Sequence, residues 1–208
     1  MIYYEIGSPQ TSLSRDDLKR GLNEAMEKLG ERQKVIAVPP DYTRLPSKAG
    51  ELTEIAWEYY GDKLTDILPA LGTHTPMTDE QISHMFGQTP RELFREHDWR
   101  NDVITLGEVP AEYVREISEG KVDFTWPAQV NKMLVEEDYD LILSIGQVVP
   151  HEVVGMANYN KNILVGTGGS EGINKSHYIG AVYGMERMMG RADTPVRKVF
   201  NYASDKYL

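Results

Sequence analysis

Five side chains could do chemistry: Arg44, His74, His151, Lys161 and His177. Histidine titrates near neutral pH and can take a proton from an alcohol or return one. Lysine becomes a nucleophile when its pKa is lowered, so Lys161 could hold a group covalently. Arginine presents a planar fork that suits a carboxylate. A further histidine can ligate a metal through its neutral ring. Each residue also has a plainer reading, an arginine in a surface ion pair or a histidine satisfied by hydrogen bonds. His84 and His97 lie in helical or inter-helix context and read as structural.

Their places in the chain favour the chemical reading. Lys34–Val38 is a β-branched apolar run, hence a buried strand, and it empties into Asp41-Tyr42-Thr43-Arg44. Leu64–Leu71 reads as a second strand and empties into Gly72-Thr73-His74. Tyr139–Ile145 reads as a third and leads into His151, Lys161 and His177. In open parallel sheets, ligands sit beyond the carboxyl ends of the strands. The three segments are therefore expected to meet in one cleft. Gly166-Thr167-Gly168-Gly169 is neither a Walker loop nor GxGxxG. It reads as a backbone-rich turn beside the site or a simple tight turn.

The remaining elements must position these loops. Met1–Ile6 reads as a strand. Helices are expected from Ser14 to Gly30, around Leu52–Tyr59, from Thr78 to Gly87, from Thr89-Pro90, over Pro127–Val135, over Glu171–Met189 and over Thr194–Tyr207. Asp102–Leu106 and Asn162–Val165 read as strands, and Tyr113–Phe124 as a hairpin around Glu119-Gly120. Alternating strands and helices predict an α/β fold: a mainly parallel sheet with helices on both faces, Rossmann-like.

Composition narrows the function. The chain has 208 residues, a net charge of −10 and no cysteine. The acidic balance argues against a nucleic-acid partner. The lack of cysteine removes disulfides and thiolate metal ligands. No signal-peptide pattern or membrane-length apolar run is present, so the expected location is cytoplasmic.

Taken together, Asp41-Tyr42-Thr43-Arg44, Gly72-Thr73-His74-Thr75-Pro76-Met77-Thr78, Pro150-His151, Lys161 and His177 resemble the lactate racemase family, whose enzymes use a nickel-pincer nucleotide. Lys161 stands ten positions after His151, and His177 sixteen after Lys161, as in the family. The resemblance covers nearly the whole chain. It implies that residues 1–208 are the amino-terminal, cofactor-binding catalytic domain of a two-domain enzyme, with the carboxy-terminal domain outside this chain. It also implies roles. Lys161 would carry the pyridinium-3-thioamide-5-thiocarboxylic acid mononucleotide, and His177 would ligate its nickel. His74 and His151 would be the paired acid/base residues. Arg44 would hold the substrate, and Asp41 and Thr43 would hold the nucleotide or shape the loop. Cofactor-maturation proteins are implied as partners.

The segment before the lysine departs from the family's Gly-Phe-Ser-Gly-Gly-Ala-Lys type. Here it reads Gly155-Met156-Ala157-Asn158-Tyr159-Asn160-Lys161. The expected substrate class thus extends from lactate to larger 2-hydroxy acids such as sugar acids. The expected activity is a racemase or epimerase at C2 of such an acid. Two other readings stand beside it: a metal-assisted, non-redox lyase or hydrolase built on His74, His151 and His177, and a non-catalytic binding module.

Overall fold

The computed structural model describes residues 1–208. Ser14 opens the first helix, α1 (Arg15–Leu29), with a capping box: its hydroxyl accepts from the Asp17 N–H while the Asp17 carboxylate accepts from the Ser14 N–H. Strand β1 (Val35–Val38) is buried at every residue, as a strand covered on both faces must be. A 3₁₀ turn, Tyr42–Ser47, leads to α2 (Ala49–Tyr60), β2 (Leu64–Ile67) and α3 (Asp79–Phe86). Next come β3 (Val103–Val109), α4 (Ala111–Ile117), β4 (Trp126–Asn131), α5 (Met133–Glu136) and β5 (Leu141–Ser144). The chain finishes with β6 (Pro150–His151), β7 (Gly155–Met156), α6 (Asn160–Leu164), α7 (Ser170–Tyr183), α8 (Met185–Met188) and α9 (Pro195–Tyr207).

The fold is α/β. Its central sheet is parallel, in the order β2-β1-β5. One face packs against α1, α2 and α3 through a core that includes Met26, Ala56, Leu64, Met85 and Phe86. On the other face Ile36, Val38 and Leu68 meet Leu134, Tyr139 and Ile163. A second core gathers around the antiparallel pair β3–β4 with α4, α6, α7 and α9. Trp126 is fully buried there, and its indole N–H donates to the Gly172 carbonyl at 2.8 Å. The cleft lies where the carboxyl edge of the parallel sheet meets α6 and α7.

Several expected elements take other forms. Met1–Ile6 is not a strand: it crosses α1, with the Tyr4 ring over Gly21 and the Lys28 amine on the Tyr3 carbonyl. Asp102–Leu106 is a strand, but it joins the antiparallel pair. Glu119-Gly120 is no hairpin turn. Both residues have positive φ, and the Gly120 N–H closes α4 on the Arg115 carbonyl, so the left-handed signal marked a helix end. Pro127–Asn131 lies in β4, whose residues are nearly all buried, and only Met133–Val135 is helical, in α5. The alternation of Ala128-Gln129-Val130-Asn131 is too short to separate strand from helix by period. Asn162–Leu164 lies in α6, with Val165 as its C-cap, instead of a strand. Asn162 donates from its amide to the Val38 carbonyl and the Ser144 hydroxyl, and so sits across the ends of β1 and β5. Thr89-Pro90 starts only a 3₁₀ turn, Arg91–Leu93. The Glu171–Met189 helix breaks at Gly184, where φ is 107°.

Gly50 lets α2 approach α3 closely: a Cβ there would fall 2.0 Å from the Met85 carbonyl oxygen. Gly50→Ala is expected to cost about 1–3 kcal/mol. It should lower the urea midpoint without changing the slope, and an unchanged midpoint would disprove the contact.

Candidate active site

All seven residues singled out from the sequence line one cleft of about 240 Å³: Asp41, Thr43, Arg44, His74, His151, Lys161 and His177. Three of them follow β1, one follows β2, and the others come from β6, α6 and α7. Lys161 and His177 thus stand on helices, not in the loop that leaves β5.

Asp41 organises the first loop. Its carboxylate is buried and accepts from the Thr43 N–H at 2.9 Å and from the Thr43 hydroxyl. The other carboxylate oxygen meets His74 Nδ1. A carboxylate only accepts, so Nδ1 carries the proton and Nε2 of His74 is left with its lone pair. Asp41 therefore shapes the turn and orients His74. Arg44 is exposed and takes part in none of the ion pairs of the chain. Its fork is free for an anionic ligand.

His151 has the opposite arrangement. Its Nδ1 accepts from the Val153 N–H at 3.1 Å and the Val154 N–H at 3.3 Å. The neutral ring must then hold its proton on Nε2. Burial, with the charge of Lys161 next, pulls His151 down to about 4; Glu152 opposes, while His177 and Arg44 reinforce the shift. His151 is thus an uncharged N–H donor at neutral pH. His177 repeats the pattern of His74 with a different partner: Nδ1 faces the Ile173 carbonyl at 2.7 Å, so the proton sits there and Nε2 is open. A carbonyl holding one ring nitrogen is the usual support of a metal-ligating histidine.

Lys161 is held down to about 8, chiefly by burial and then by the charges of Arg44 and Arg197, against Glu152 and Asp41. From an ordinary lysine value of 10.5, its neutral fraction at pH 7 rises on the order of 100-fold. Just before it, Asn158 and Tyr159 have φ of 63° and 55°. Such strain costs of order 1–3 kcal/mol per residue and must be imposed by the surroundings.

The glycine run works by close approach. A Cβ on Gly166 would fall 2.3 Å from the Asn162 carbonyl oxygen, and one on Gly168 2.2 Å from that of Leu164. His97 confirms its structural reading: it is buried, with Nε2 on the Gly168 carbonyl and Nδ1 on the Asn131 amide. Reading the sequence missed Glu152 and Asn162, which also line the cleft. Glu152 had a signal in its position beside His151. Asn162 had none, because its hydrogen bonds run to residues distant in the chain.

Fold and cleft together define an α/β domain with a cationic, histidine-bearing site at the carboxyl edge of a parallel sheet. Residues 19–189 match the family model of the lactate racemase N-terminal domain, and the chain belongs to that family. A crystal structure of a protein from Thermotoga maritima is similar, with TM-score 0.82 and 29% identity over 97% of this chain and 49% of that one. The lactate racemase apoprotein from Thermoanaerobacterium thermosaccharolyticum shares the fold, with TM-score 0.67 and 22% identity over 93% of this chain and 46% of that one. The chain thus spans about half the length of these structures. No curated protein matches it. No helix is long and apolar enough to cross a membrane.

The depressed His151 value sets a pH dependence. Between 6.5 and about 4 the unfolded chain binds a proton at this residue and the folded chain does not. Stability is therefore complete above pH 6.5 and falls as pH drops toward 4. His151→Gln should remove about 2 kcal/mol of that loss, measured as denaturant unfolding at pH 7 and pH 4.5. Parallel stability curves for the variant and the parent would exclude the assignment.

Proposed function

We propose that this domain is the cofactor-holding half of a racemase or epimerase that inverts C2 of a 2-hydroxy acid. The observation that carries the reading is the joint presence, in one cleft, of a buried lysine amine, an open histidine Nε2 on α7, and two further histidines with opposite free atoms.

These residues fit a nickel-pincer nucleotide. Lys161 offers an amine with a lowered pKa for covalent attachment, and His177 Nε2 offers one metal ligand. No group of three or more His, Cys, Asp or Glu that could hold a metal gathers anywhere in the chain. A metal here would need ligands brought with it, which this cofactor has. The same fact weighs against the metal-assisted lyase or hydrolase built on His74, His151 and His177 alone. When bound, the nucleotide supplies a hydride acceptor and donor for the hydrogen on C2.

The chain's own groups do the rest. Arg44 would bind the substrate carboxylate through its fork. His74 Nε2 would take the hydroxyl proton, and Asp41 would stabilise the resulting imidazolium through Nδ1. His151 Nε2–H would hydrogen-bond to the substrate oxygen as it gains carbonyl character. To accept a proton from the mirror-image substrate, His151 must move its proton to Nδ1 and give up the bonds from Val153 and Val154. Lactate and larger 2-hydroxy acids both suit this chemistry. A second domain closing the cleft and maturation proteins that load Lys161 belong to the same reading.

The test is mass and metal analysis after co-expression with cofactor-synthesis enzymes. The parent should carry a nucleotide adduct on Lys161 and about one nickel; Lys161→Ala should lose both. His177→Ala should keep the adduct and lose at least about tenfold in nickel affinity. A parent that takes up zinc with no adduct would refute the proposal. In the two-domain protein, His74→Ala and His151→Ala should each lower kcat on a panel of 2-hydroxy acids by about 10²–10⁴, and unequally for the two enantiomers.

A further inference from the structure

Residues 156–160 contain no glycine, yet Asn158 and Tyr159 hold left-handed φ immediately before Lys161. Something outside the segment must impose that path. Arg197, in the first turn of α9, is buried and has no carboxylate partner. Its guanidinium instead donates to the Met156 carbonyl, to the Asn158 carbonyl at 3.4 and 3.5 Å, and to Asn160 Oδ1 at 2.5 Å. It also lies over the Tyr159 ring, 5.8 Å from the centroid. Asn160 is tied a second time, through its amide to Asn201 Oδ1 at 2.9 Å. A buried arginine without a counter-charge is costly, and here every side-chain bond it makes goes to this one segment.

We propose that Arg197 is the positioning residue for Lys161: its fork clamps the Met156–Asn160 loop in the conformation that delivers the lysine amine into the cleft. Planarity is the reason for arginine. Several donors fixed in one plane can hold neighbouring carbonyl groups at once, which an ammonium cannot do with the same geometry. The clamp also sets a positive charge behind the amine and adds to the forces that keep it neutral. The other charged groups facing the amine are Arg44 and Asp41 from the turn after β1, and Glu152 from the β6–β7 hairpin. His151 from the same hairpin is uncharged at neutral pH. The service that Arg197 performs rests on the reading of Lys161 as the attachment point.

The test uses the full chain without cofactor, so a missing adduct on Lys161 would not affect its outcome. Acetylation of Lys161 by acetic anhydride is followed by peptide mass across pH, together with hydrogen exchange of residues 156–161. In the parent, labelling should be half-maximal near the Lys161 value of about 8. Arg197→Gln should raise that midpoint by at least about half a pH unit and speed exchange of the segment by about tenfold, with Lys63 labelled as before. Arg197→Lys keeps the charge but not the fork, so it should restore the midpoint without restoring the slow exchange. A folded Arg197→Gln protein with parental midpoint and parental exchange overturns the proposal. If Arg197→Gln does not fold, Asn160→Ala decides, since it removes one acceptor of the clamp: faster exchange at 156–161 supports the proposal, and unchanged exchange overturns it.

Discussion

The arrangement depends on the parallel pairing of β1 with β2 and with β5. Parallel strands run the same way, so each of them leaves the sheet at the same edge. Asp41, Thr43 and Arg44 leave β1 there, His74 leaves β2, and the segment leading to His151 leaves β5. Residues more than a hundred positions apart in the chain are brought to one cleft by that geometry. Asn162 reinforces it by hydrogen-bonding to the end of β1 and to the last residue of β5. α6 packs Ile163 against one face of the sheet and carries Lys161 into the cleft.

Within the cleft the decisive property is charge in a half-dry place. The protein as a whole is acidic, with net charge −10, but the site gathers Arg44, Lys161 and the Arg197 behind it. Two carboxylates face them: Glu152, which opposes the Lys161 shift only in part, and Asp41, which is already engaged by Thr43 and His74. Lys161 responds by shedding its proton more readily, and His151 stays neutral for the same reason. Three histidines in one pocket thus end in three distinct states of support: one against a carboxylate, one against backbone N–H groups, one against a carbonyl. That division of labour suits proton transfer and metal ligation side by side, because each ring exposes the nitrogen its partner leaves free.

Much of the local structure was legible because it rests on local chemistry. Ser14, Thr78 and Thr194 each accept from a backbone N–H three residues on, and each starts the helix expected of it. The errors have other causes. β4 is buried along nearly its whole length although it carries Gln129 and Asn131, and Ile163-Leu164-Val165, at the end of α6, is a short apolar run that could equally have been a strand. Glu119-Gly120 carries the same left-handed signal whether it turns a hairpin or ends a helix. For β4 and α6 the deciding factor was a neighbour far away in sequence; for Glu119-Gly120 it was the preceding helix, α4, whose Arg115 carbonyl takes the Gly120 N–H.

The amino-acid sequence by itself determined the residue types at the site, their order and spacing, and the β-branched runs that precede them. These were enough to predict a shared cleft and the family. Only the tertiary structure decided which nitrogen each histidine exposes and that Asp41 serves His74. It also revealed that Arg197, which no motif marks, reaches the loop before Lys161. The physical reason is that hydrogen bonds and charge shifts depend on distances of a few ångströms between residues of distant segments. Spacing along the chain encodes helix faces and strand ends; it does not encode which side chains become partners once the layers have packed.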